Sequence, residues 1–178
     1  MKRAREASRQ ARSVSLRTPR SAARRGDMPR PLIIGYGNSL RGDDALGPRL
    51  AAMLGGIALQ QLVPELAERL AREERAIFID ARADLAPGEV RIMPVNGESA
   101  STHFCSPGWL LRLAQDTYGH APDAMLVGIG AQSFEFGAPL SAAARAGLKK
   151  ARSRIRAMAF APAVSDAPRF PNGAPRVQ

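Results

Sequence analysis

The sequence predicts an α/β domain of three layers, αβα, with a mostly parallel twisted sheet and helices on both faces. Three observations predict it. The short, largely apolar runs Leu32–Tyr36, Arg75–Asp80 and Ala124–Gly130 are too continuous for strands with one wet face. Segments with helical spacing and cap residues alternate with them. The first run empties into Gly35-Tyr36-Gly37-Asn38, a glycine-rich turn of the kind that joins strand to helix in such domains. A chain of 178 residues, 45% of them hydrophobic, suits one domain with a sizeable core.

In order, Leu32 to Tyr36 reads as a buried parallel strand. A helix is expected from about Asp44 to Leu54, with Asp43 as its cap, Pro48 tolerated near its first turn, and Gly55-Gly56 as its end. Ile57 to Leu62 is a weaker strand. Pro64 opens a short helix over Glu65 to Ala71, where Leu66 and Leu70 share a face. Arg75 to Asp80 is the second strong strand, ending on the carboxylate. Pro87-Gly88 makes a turn and Val90 to Val95 a further strand. Asn96 to Cys105 lacks periodicity and reads as a long loop. Ser106-Pro107 is a cap followed by proline at the first helical position, and Gly119 stops that helix after Tyr118. Its inward residues are expected to be Leu110, Leu113 and Ala114. After the strand Ala124–Gly130, Ser141 caps the last helix. There Ala144, Leu148, Ala151, Ile155 and Met158 form one apolar face, and Arg145, Lys149, Arg152 and Arg156 a solvated one.

The net charge of +10 belongs mostly to one end. Residues 1–27 hold nine Lys or Arg against Glu6 and Asp27, a net of +7, which leaves +3 for the other 151 residues. Residues 1–28 therefore read as a disordered basic arm, a transit peptide, or a segment preceding a true start at Met28. The arm's charge raises nucleic-acid binding as one function class, but the domain itself gives no reason to expect a nucleic-acid partner. The folded domain is placed at 29–160. Residues 161–178, with Pro162, Pro168, Pro171, Pro175 and Gly173, read as a disordered tail. No apolar run reaches the ~18–20 residues of a membrane span, so no membrane partner is expected. A single cysteine excludes an internal disulfide and suits a reducing, cytoplasmic compartment.

The candidate chemistry lies where open parallel sheets place it, beyond the carboxyl ends of the strands. Asp44 follows the first strand, Asp80 ends another, and His103 precedes the Ser106-Pro107 helix. Two carboxylates and an imidazole suit a borderline divalent cation. Each also has a plain structural role open to it: a helix-dipole partner, a loop cap and a surface histidine. A phosphate-binding turn would carry backbone N–H groups and a lysine where Asp43-Asp44 stand, and the third glycine of G-x-G-x-x-G would fall on Leu40. Cys105 reads as a lone buried thiol, and His120 as solvent-facing.

These residues resemble the [NiFe]-hydrogenase maturation proteases. Gly35-Tyr36-Gly37-Asn38, Leu40, Asp43-Asp44 and Gly47 resemble the opening signature of that family. Phe78-Ile79-Asp80-Ala81, Pro87-Gly88, His103-Phe-Cys-Ser106-Pro107, Tyr118-Gly119, Pro122 and Gln132 to Ser141 resemble its later blocks, in order over about residues 31–156. The resemblance implies an endopeptidase that removes the C-terminal extension of a hydrogenase large-subunit precursor after nickel insertion. Nickel carried by that precursor would be the recognition element. By position, Asp44, Asp80 and His103 are the metal contacts. Asp44 and Asp80 are the candidate catalytic carboxylates, one of them polarising water as a general base, with activation of water by the bound metal itself as the alternative. Many members of the family carry Glu where Asp44 stands. A monomer is expected. A non-catalytic metal-binding or chaperone protein on the same fold is the alternative.

Overall fold

The computed structural model describes residues 30–96 and 105–159. The basic arm, the Pro-rich tail and His103 lie outside them. The elements are β1 (Leu32–Tyr36), a 3-10 turn (Gly42–Ala45), α1 (Leu46–Met53), β2 (Ile57–Leu59), α2 (Leu66–Leu70), β3 (Arg75–Arg82), β4 (Val90–Pro94), α3 (Pro107–Tyr118), β5 (Asp123–Gly130) and α4 (Ala142–Ala159). The sheet order is β2-β1-β3-β5-β4. β2, β1, β3 and β5 run parallel, and β4 closes one edge antiparallel to β5. The mostly parallel three-layer sheet expected from the sequence is therefore present.

Side chains that alternate along each strand fill two cores. Ile77, Ile79, Val127 and Ile129 pack against α1 and α4. Ile34, Ala76, Phe78 and Ala124 pack against α2 and α3. Phe78, Ile34, Leu50 and Ile155 are fully buried, each worth about 1.5–3 kcal/mol of apolar transfer. In α3 the buried apolar side chains are Leu110, Leu111 and Ala114; Leu113 is only partly covered. On α4, Arg145, Lys149 and Arg156 are exposed as expected, while Arg152 is partly buried.

Several boundaries differ from the sequence reading for identifiable reasons. The helix expected from Asp44 begins as a 3-10 turn, because Arg41 N–H donates to Asn38 O (3.0 Å) and Asp44 N–H to Arg41 O (3.0 Å) before the α register is reached. β2 stops at Leu59, where the Gly37 N–H donates to both the Leu59 and the Gln60 carbonyl oxygens and ends the ladder. β3 runs on to Arg82 because β5 pairs with it along its whole length, from Arg75↔Asp123 to Arg82↔Gly130. Asp80 is thus inside a strand, not its last residue. Ser106 caps α3 through Trp109 N–H (3.1 Å), and Gly119 closes it in the left-handed conformation.

Two glycines fix how closely the first turn and α1 sit on the strands. A Cβ on Gly47 would lie 2.3 Å from the Tyr36 carbonyl oxygen and 2.7 Å from that of Ile79. Gly37 has φ +138°, and a Cβ there would stand 2.2 Å from the Asp44 carbonyl oxygen. The backbone after β1 is thereby drawn over the ends of β1 and β3. Among the described residues, no helix is long and apolar enough to cross a membrane.

Candidate functional site

The chain leaves the carboxyl end of β1 for α1 on one face of the sheet, and that of β3 by way of β4 for α3 on the other. Since β1 and β3 are neighbours, their connections diverge and open a crevice beyond their carboxyl ends. A cleft of about 590 Å³ lies there, lined by Tyr36, Gly37, Asp44, Asp80, Cys105 and the segment from Gln60 to Pro64. The structure brings Asp44 and Asp80 together in it. Among the described residues, no three His, Cys, Asp or Glu side chains converge.

Asp44 reaches the cleft from the 3-10 turn, and its Oδ2 accepts the Asn38 N–H at 2.7 Å. Asp80 sits deeper. Its carboxyl is pushed up to about 6, first by burial and further by the charge of Asp44. Arg82, the Tyr36 hydroxyl and the Ala81 N–H act against that rise. Arg82 is itself tied to Asp84 by Nε–Oδ1 and Nη2–Oδ2 bonds of 2.7 and 2.8 Å. The Tyr36 phenol is pushed well above its ordinary value by burial and by Asp80, so it keeps its proton. Burial, then the Glu65 charge, raises the Cys105 thiol; this cleft-lining sulfur is not a thiolate near neutrality.

Asp43 does something the sequence did not suggest. It caps no helix. It is fully buried, and its Oδ2 accepts the N–H groups of Gln132 (3.0 Å) and Ser133 (3.2 Å) and the Ser141 hydroxyl (2.9 Å). Its Oδ1 accepts the Ser141 N–H at 2.7 Å. Burial alone would raise this carboxyl, but the four donors hold it below the ordinary range. The Asp43 N–H in turn donates to Ser133 O (2.7 Å), Gly137 N–H to Leu40 O (2.8 Å), and Arg41 Nε to Phe134 O (3.1 Å). The loop after β5 is thus bolted to the turn that carries Asp44. The Ser141 hydroxyl also accepts the Ala144 N–H (3.0 Å), so one side chain caps α4 and completes the Asp43 nest.

His120 is tucked in, not solvent-facing: its Nε2 donates to the Glu73 carbonyl oxygen at 2.9 Å, at the corner before β3. Tyr36 was passed over in the sequence reading as part of a glycine-rich turn. The signal that could have found it is positional, since it closes the strand beside the one that carries Asp80.

No protein-family model and no curated protein matches the chain in sequence. Solved structures do. A [NiFe] hydrogenase maturation protease HybD from Thermococcus kodakarensis is 27% identical, with a TM-score of 0.56 over 74% of this chain and 99% of that one. The hydrogenase maturating endopeptidase HybD from E. coli is 24% identical, with a TM-score of 0.57 over 73% and 91%. A hydrogenase 2 maturation peptidase from a Thaumarchaeota archaeon is 23% identical, with a TM-score of 0.56 over 75% and all 100% of its own chain. The last two bear on the fold alone.

Proposed function

We propose, from the chain's likeness to the [NiFe] hydrogenase maturation protease of Thermococcus kodakarensis, that it is an endopeptidase of hydrogenase maturation. Its substrate would be a [NiFe]-hydrogenase large-subunit precursor, from which it removes the C-terminal extension once nickel has been inserted. The observation that supports this reading best is the pair Asp44 and Asp80 in one cleft at the β1/β3 crevice. Two carboxylates in an open cleft suit a divalent cation presented by another protein. Nickel enters here as part of the substrate, with Asp44 and Asp80 as its contacts; His103, the third contact expected from the sequence, lies outside the described residues. Docking the precursor's metal centre would hold the scissile bond beside the carboxylates. Asp80, with its carboxyl near 6, is mostly ionised at pH 7 and close to the working range of a general base for water. The protein would act in the cytoplasm as a monomer.

Incubating the purified chain with nickel-loaded and nickel-free precursor tests the recognition step. Cleavage of the loaded form alone is expected. Equal cleavage of both would falsify recognition through the substrate's metal. Tight binding of the loaded form without any change in its mass would favour a metal-dependent chaperone instead.

A further inference from the structure

We infer that Leu40 and Phe136 form an apolar docking tip beside Asp44, which seats in an apolar recess on the precursor next to its metal centre. The inference rests on the functional reading above and names the surface by which that partner is gripped.

Among the described residues, Phe136 and Leu40 are the two most exposed large apolar side chains, at 77% and 58%. A single exposed apolar residue is ordinary on a protein surface. These two are far apart in sequence, yet the fold brings them to one place. Arg41 and Phe136 form an antiparallel bridge, and the Gly137 N–H donates to Leu40 O at 2.8 Å. The exposed Met53 and Tyr118 end α1 and α3 instead, at the opposite edge of the sheet.

The tip is wired to the cleft. The Leu40 N–H donates to Asn38 Oδ1 at 2.9 Å, and the Asn38 N–H donates to Asp44 Oδ2 at 2.7 Å. With only two hydrogen bonds between Leu40 and the cleft carboxylate, a protein that brings a cation to Asp44 comes to lie against the tip. The tip is also built before any partner arrives. Asp43 holds Ser133 and Ser141, Arg41 Nε donates to Phe134 O at 3.1 Å, and a Cβ on Gly42 would stand 2.6 Å from Ser133 O. A surface ordered in advance loses little freedom on binding, so burying a Phe and a Leu there converts efficiently into affinity. A clasp between the two loops asks for none of this apolar surface: its bonds come from the backbone, Asp43 and Arg41, and polar side chains at 40 and 136 would serve it equally.

The double variant Leu40→Ser/Phe136→Ser removes the apolar tip and keeps every bond of the clasp. For nickel-loaded precursor, its KM is expected to rise about 10–100-fold with kcat unchanged. Leu40→Met/Phe136→Leu, which stays apolar, should keep the parent's KM, and so should Tyr118→Ser at the far edge. An unchanged KM in Leu40→Ser/Phe136→Ser, an equal rise in either of the other two variants, or a loss confined to kcat overturns the docking tip. If the parent leaves the loaded precursor whole, the functional proposal falls, and calorimetric titration of loaded precursor into the parent and into Leu40→Ser/Phe136→Ser decides the tip separately. Binding about 10–100-fold weaker in the variant upholds it; equal binding, or none to the parent, overturns it.

Discussion

Asp80→Asn is expected to abolish precursor processing, by at least about 10²–10⁴-fold, while making the protein harder to melt at pH 7. The two effects have one origin. The fold holds the Asp80 carboxyl at about 6, against 3.8 for a free aspartate, chiefly because it is buried and secondarily because Asp44 stands nearby. A group whose folded value is raised binds its proton more tightly in the native state, so ionising it works against folding. The penalty is absent below about pH 4, grows between pH 4 and 6, and is complete above, at about 1–3 kcal/mol. Asparagine keeps the shape but carries no charge. At pH 7 its melting temperature should exceed the parent's by about 2–8 °C, and the gap should close at pH 4. Thermal scans at both pH values, run beside a processing assay, check it. A variant that keeps its activity, or that melts below the parent at pH 7, contradicts the account. A residue retained against stability is what a working group looks like.

Asp43→Ala is expected to do the reverse damage. It would take the acceptor from three N–H groups, on Gln132, Ser133 and Ser141, in a part-buried nest, and leave the Ser141 hydroxyl without one partner. Each orphaned donor costs about 1–3 kcal/mol, and since the loop can relax the total should be about 3–5 kcal/mol. The melting temperature should drop by more than about 10 °C. The pH dependence is opposite to that of Asp80. The Asp43 carboxyl is held below its ordinary range, so its contribution is present above the unfolded value of 3.8 and is lost as pH falls through the lower folded one. Acid should therefore cost the parent stability that Asp43→Ala has already lost. Urea titrations at pH 7 and pH 3 measure this directly. A loss under about 1 kcal/mol at pH 7 would mean that the loop is held by its backbone bonds alone.

The contrast between these neighbours shows what a sequence can carry. The strands Leu32–Tyr36 and Asp123–Gly130 and the caps Ser106 and Ser141 were legible because burial and capping leave local patterns. Asp44 and Asp80 were legible as candidates because such sheets put their chemistry beyond the carboxyl ends of the strands, although Asp80 stands two residues before the end of β3. Asp43 was misread as a cap. Its partners lie 89 to 98 residues away, and no local pattern announces them. β3 was read two residues short because the extra pairs come from β5. The antiparallel direction of β4 is likewise a property of pairing. Leu111 replaced Leu113 in the core because α3 meets the sheet and α2 along a line that periodicity alone does not fix.

The most direct test is the intact mass of a [NiFe]-hydrogenase large subunit expressed with nickel, with and without this chain. With the chain present, the subunit should lose the mass of its C-terminal extension; without it, or with Asp80→Asn in its place, the extension should remain. A subunit of identical mass in the presence and absence of the active chain would contradict the account.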